Sequence, residues 1–140
     1  MKDYVLDANA LIRYVLNTAG ADKVDAIFQQ RERGAARVSM SVINVGEVNY
    51  VLMRRIGERG AVEAVNKVRH VVSYIPVELE EAIAAAKIKH QFKMGYADCF
   101  AAALALRLNG ILVSADPVFE KLGKSIKLVK LPRHSSGEPA

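Results

Sequence analysis

The sequence predicts an α/β fold: three α/β/α layers around a central, mostly parallel sheet of about five strands. Three observations carry that expectation. Short apolar runs that read as buried strands alternate with longer helical segments, the order that sets parallel strands side by side beneath covering helices. The 140 residues are 51% hydrophobic, enough for a real core in one domain. Capping residues punctuate the helical segments where each should start or stop.

The elements follow in order. Tyr4–Leu6 reads as a buried strand. Asn9 is expected to cap a helix to Leu16, which Asn17–Gly20 ends, and Asp22 to cap a charged amphipathic helix that stops near Gly34. Arg37–Met40 is the second strand. Ser41 N-caps a helix to about Ile56, and another runs from Ala61, after Gly60, to about His70. Val71–Val77 is the third strand, interrupted by Pro76. Glu78–Phe92 is helical, with acids in its first turn where the helix dipole favours them. Met94–Leu108 is a helix in which Ala97, Ala101, Leu104 and Leu108 form an apolar stripe, closed by Asn109–Gly110. Ile111–Ser114 is the fourth strand, Asp116–Pro117 a cap with proline at the first helical position, and Ile126–Val129 the fifth strand. Residues 1–132 read as one domain and Arg133–Ala140 as a disordered tail.

Four of these segments are almost purely apolar, and each holds one charged residue, an acid. They are Asp7 in Tyr4–Ile12, Glu47 in Val38–Met53, Asp98 in Met94–Leu106 and Asp116 in Leu108–Phe119. A lone carboxylate in a buried segment is costly unless its charge is compensated, and none of the four segments contains a basic residue. In a parallel sheet the site lies beyond the carboxyl ends of the strands. Asp7 follows the first strand and Asp116 the fourth. Glu47 lies early in the helix leaving the second strand. Asp98 lies in the first turn of the helix that feeds the fourth strand. All four therefore converge on one edge of the sheet.

Each acid alone has an ordinary reading: Asp116 as a helix cap, Asp98 as a complement to the dipole, Asp7 as a turn residue. Glu47, among Val45, Val48, Val51 and Leu52, is the hardest to explain that way. Together they fit a shared cation. Clustered carboxylates suit Mg²⁺ or Mn²⁺ rather than zinc, and Asn9, Asn44 and Ser114 are placed to orient ligands or waters. His70, His90 and His134 are too scattered for a zinc motif, and there is no Gly-rich phosphate loop. A cation held by acids activates water and neutralises charge developing on a phosphate. With no Ser, Cys or His nucleophile at this edge, metal-assisted hydrolysis is the simplest chemistry.

Twenty Lys and Arg against fifteen Asp and Glu give a net charge of +5, which favours a polyanionic partner. Arg13, Arg54, Arg55, Lys89 and Lys93, each near a site segment, are the candidates for nucleic-acid contact; solvated helix faces explain any one of them equally well. The single Cys99, among Phe100, Ala101 and Ala102, reads as a core residue and excludes an intramolecular disulfide. No signal-peptide pattern and no membrane-spanning run is present, so a cytoplasmic protein is expected.

The ordered set of motifs resembles the PIN-domain ribonucleases, and among them the VapC-type toxins of bacterial and archaeal toxin–antitoxin pairs. The likeness runs from about Tyr4 to Leu131. VLDANALI matches the opening strand that ends in an acid, with Asn9 at a position usually polar. SVINVGEVNYVL matches the helical Glu, GYADCFAAALAL the Asp that starts an Ala-rich helix, and SADPVF the strand-end Ser–x–Asp. Many members carry another acid two residues beyond that last Asp; here Val118 stands there, a departure that bears on tight binding of a second metal. The resemblance implies an RNA substrate, Mg²⁺ or Mn²⁺ dependence, a homodimer and a cognate antitoxin. It leaves a housekeeping RNA-processing nuclease or a non-catalytic RNA- or protein-binding module as alternatives. A haloacid-dehalogenase-like phosphatase would need an Asp where Asn9 stands, and a phosphoacceptor receiver domain would need one near Pro76–Glu78.

Overall fold

The structure, a computed structural model, describes residues 1–133. The expected tail, apart from Arg133, lies outside the described residues. Five strands, β1 (Lys2–Leu6), β2 (Ala36–Ser41), β3 (Ser73–Ile75), β4 (Ile111–Ser114) and β5 (Lys127–Lys130), form one sheet in the order β3-β2-β1-β4-β5. Every neighbouring pair is parallel. Five α-helices join them: α1 (Ala8–Leu16), α2 (Ala21–Glu32), α3 (Val42–Lys67), α4 (Leu79–Phe92) and α5 (Tyr96–Leu108). Two short 3₁₀ segments, Val68–His70 and Pro117–Ser125, complete the described chain.

The central strands are apolar on both faces because both faces are covered. Along β1, Tyr4 and Leu6 point into a core shared with α1, α2 and α3, and Val5 points into the opposite core with α4 and α5. β4 splits in the same way, with Val113 on the first side and Leu112 on the second. Val5, Leu6, Leu112 and Val113 are all fully buried, and each such side chain contributes roughly 1.5–3 kcal/mol of transfer free energy. Cys99 lies in the second core, as expected, and burial pushes its thiol pKa up.

Several boundaries differ from the sequence reading, each for a local reason. The residue that precedes α1 in extended conformation is Asp7, and Asn9 lies inside the first turn. Asp22 likewise falls in the first turn of α2, which starts from Gly20. The two expected helices after Ser41 form one element: the break falls at Gly57, where the first was expected to end, and the second stretch begins before Ala61. Gly57 takes φ 84°, ψ 167°, a conformation closed to other residues at little cost. Ser41 does cap α3, its hydroxyl accepting from the Ile43 N–H. The third strand shrinks to Ser73–Ile75 because β3 has only β2 to pair with and Pro76 supplies no donor. Met94 stands outside α5, which starts from Gly95.

This topology fixes where a site can form. The connection after β1 leads to β2 on one side, and β4 pairs with β1 on the other, so the chain switches direction between β1 and β4. The crevice at their carboxyl ends is the expected ligand position in an open parallel sheet.

Candidate functional site

Asp7 stands at that crevice. Its N–H donates to the Val113 carbonyl at 3.1 Å, continuing the β1–β4 ladder past the end of β1. Its side chain is 3% exposed. The Ser114 hydroxyl donates to Asp7 Oδ2 at 2.9 Å, and Asn9 Nδ2 donates to the same oxygen at 3.1 Å. Asn9 Nδ2 also lies 3.1 Å from Ser114 Oγ, and Asn9 Oδ1 accepts from the Ala115 N–H at 2.9 Å. Asn9 is thus a staple between α1 and the end of β4, which is why it does not act as a free cap.

Glu47 and Asp98 are half-buried, and Asp116 is exposed. Asp116 accepts from the Val118 N–H at 2.9 Å and starts the following 3₁₀ segment, so the ordinary capping reading holds for it. Its backbone N–H donates to Ser114 Oγ, which ties it to the same cluster. Asn44 is fully buried between α3 and α5, and its Nδ2 donates to Glu47 Oε1 at 2.9 Å and to the Ala97 carbonyl at 3.0 Å. Gly95 lets the chain pass close to Asp98, since a Cβ there would meet Asp98 Oδ2 at 3.0 Å.

The electrostatics tie these groups together. Burial, then the Asp98 charge, raises the Asp7 pKa to about 7, with Glu47 adding to the rise; the Ser114 hydroxyl and the Ala8 N–H oppose it. Burial, then Asp116 and Glu47, raises Asp98 to about 6. Among the described residues none of the four acids pairs with Lys, Arg or His; the ion pairs are Asp3–Arg37, Glu81–Arg107 and Glu120–Lys130, and His70 Nε2 lies 3.9 Å from Glu32. Nor do three acidic, His or Cys side chains among them already stand in a closed metal-holding arrangement. The donor set nonetheless suits a hard divalent ion: carboxylate oxygens, mutual repulsion and a buried, uncompensated Asp7.

The basic candidates separate. Arg13 is engaged elsewhere, donating to the Ala19 carbonyl at 2.8 Å and to the carbonyls of Pro132 and Arg133. Lys89 spans the α4–α5 turn, its Nζ donating to the Met94 carbonyl at 2.8 Å. Lys93 is exposed in that turn, with φ 54°. Arg54 and Arg55 are exposed on α3. Sequence reasoning missed Tyr50. It is exposed, and the Arg54 guanidinium lies 5.7 Å from its ring centroid. Glu47, Tyr50 and Arg54 are spaced i, i+3, i+7, so they share one helical stripe, a pattern legible in the sequence.

The sequence pattern of the PIN domain matches residues 4–125, and the chain belongs to that family. No curated protein matches it. Among solved structures, the chain resembles DNA-bound VapBC from Salmonella typhimurium, with TM-score 0.75 and 17% identity over 93% of this chain and 98% of that one. It resembles VapBC2 from Rickettsia felis, bound to a promoter DNA fragment, with TM-score 0.72 and 12% identity over 92% and 98%. It also resembles the Mycobacterium tuberculosis toxin VapC20, described as cleaving the sarcin–ricin loop, with TM-score 0.68 and 19% identity over 87% and 95%. At these identities the likeness is one of fold, the PIN-like parallel sheet expected from the sequence.

Proposed function

We propose that this chain is a metal-dependent endoribonuclease that hydrolyses RNA phosphodiester bonds, and that it is the toxin of a toxin–antitoxin pair. One observation carries the reading: Asp7 is 3% exposed at the switch point of the sheet, its pKa is raised by burial and by two further carboxylates, and among the described residues it is paired with no base. Such a group is a poor core residue and a good cation ligand. Asp7, Glu47, Asp98 and Asp116 would hold Mg²⁺ or Mn²⁺. When bound, the ion supplies Lewis acidity toward a phosphate and a more acidic water. The chain's own residues orient the ligands: Ser114 and Asn9 fix Asp7. The Glu47–Tyr50–Arg54 stripe offers a ring for base stacking and a guanidinium for a phosphate beside the acids.

The antitoxin half of the proposal draws on the resemblance to toxin–antitoxin complexes and on a second face of the molecule. A groove of about 650 Å³ runs between α1, α2 and the second half of α3, with Tyr14, Phe28, Ile56, Ala64 and Val68 in its lining and Glu32, Glu63 and Lys67 beside them. It touches none of the four acids, and its apolar floor and charged edges suit an amphipathic segment of a protein partner. A homodimer and a cytoplasmic location belong to the same reading. No helix among the described residues is long and apolar enough to cross a membrane.

The rival reading is a non-catalytic module of the same fold, favoured by the capping role of Asp116. Total cellular RNA incubated with Mg²⁺ or Mn²⁺, with an EDTA control and an Asp98→Asn variant, separates the two. Cleavage in the presence of metal that both controls abolish supports the nuclease; cleavage that survives both controls, or its absence throughout, sinks it.

A further inference from the structure

We propose that Asn44 is a positioning residue that sets the separation of Glu47 from Asp98 and thereby the affinity of the site for its cation. The inference rests on the metal-site reading above. Asn44 is fully buried, and its single Nδ2 group reaches both the Glu47 carboxylate, at 2.9 Å, and the carbonyl of Ala97, at 3.0 Å. Ala97 adjoins Asp98 in the first turn of α5. One amide therefore bridges the two helices that carry two of the acids.

The amide orientation is forced. Both partners are acceptors, so only the NH₂ side can face them. That leaves Asn44 Oδ1 buried, and it has no hydrogen-bond partner among the described residues. Native interiors rarely leave a buried acceptor unpaired, because its desolvation goes uncompensated. An apolar residue of the same shape would remove that cost. Its two bonds are also dispensable for the fold: Glu47 is half-exposed and can turn to water, and Ala97, inside α5, has the helical N–H four residues on as a partner. What Asn44 contributes is the fixed placement of a carboxylate, the task of groups that stand behind metal ligands.

Mn²⁺ is titrated into metal-free wild type and Asn44→Leu, following the melting temperature, with heats of Mn²⁺ binding measured in parallel. Asn44→Leu should melt at or above wild type in EDTA. It should then need at least about tenfold more Mn²⁺ for the same rise, the usual effect of losing a group behind a ligand. If leucine does not fold there, Asn44→Ala answers the same question. An unchanged Mn²⁺ requirement overturns the inference, whether or not the variant melts lower, since a structural residue would lower stability alone. A wild type that does not respond to Mn²⁺ removes the metal site itself, and the inference with it.

Discussion

Ser114 Oγ lies 2.9 Å from Asp7 Oδ2, joining residues 107 positions apart across the junction of β1 and β4. The hydroxyl donates to the carboxylate and so favours its ionised form. It opposes the burial and the Asp98 charge that together raise Asp7 to about 7.

Replacing Ser114 by Ala removes that opposition. The Asp7 pKa should rise further, and the acidic limb of the cleavage–pH profile should move to higher pH by up to about one unit, the scale of one hydrogen bond to a charged group. Initial rates of RNA cleavage from pH 5 to 9 measure it. A limb that stays in place, or moves to lower pH, would show that Asp7 does not control activity.

The same shifts set the pH dependence of stability in the metal-free protein. The folded-state values of Asp7 and Asp98, about 7 and about 6, both exceed the ordinary carboxylate value near 4. Between about pH 4 and 7 the folded state binds more protons than the unfolded chain, so stability falls as pH rises through that window. Each unit is worth at most about 1.4 kcal/mol per group, and half-buried Asp98 contributes less because water screens it. Metal-free protein should melt several degrees higher at pH 5 than at pH 8, and Mn²⁺ should close the gap. Melts that rise steadily from pH 5 to 8 would contradict this.

Asp98→Asn removes one of the repelling charges while keeping the shape of the side chain. In EDTA at pH 8 the variant should be at least as stable as wild type, by on the order of 1 kcal/mol. It should lose cleavage, and Mn²⁺ should raise its melting temperature less than that of wild type. A variant that melts well below wild type in EDTA would make Asp98 a structural residue.

Arg54 and Arg55 test the proposed nucleic-acid face. Every phosphate that the protein ceases to neutralise should reduce the slope of log affinity against log salt by about 0.7 for a single strand. The double substitution to Ala should flatten that slope without altering the melting temperature, since both side chains are exposed. Fluorescence anisotropy with a labelled RNA, in an Asp98→Asn background so that nothing is cut, gives the slope directly. An unchanged slope removes both residues from the footprint.

How much of the molecule is legible in the sequence depends on how local the cause is. β4 is legible to the residue, because Gly110 and Asp116–Pro117 bracket the short run Ile-Leu-Val-Ser. Ser41 caps α3 as expected, since its partner Ile43 is two residues away. Asn9 is no cap because the bonds that claim it come from Ser114 and Ala115, over a hundred positions along the chain. The second stretch of α3 begins after Gly57 rather than after Gly60 because Gly57 is the glycine that adopts positive φ, and composition does not encode that. For the candidate site, strand order and helix direction suffice to bring the acids to one edge. The exposure of Asp116 and the engagement of Arg13 require side-chain positions.

The pairing of β1 with β4, Tyr4 opposite Ile111, also has a consequence during synthesis. A chain emerging from the ribosome presents Asp7 long before the rest of its crevice. The strand that completes that crevice, and the hydroxyl that holds the carboxylate, arrive only after more than a hundred further residues. Until then β1 can pair with β2 alone, and the crevice has one wall. A nascent chain therefore carries its first acid in a half-built crevice, and on the proposed reading competence waits on the emergence of β4.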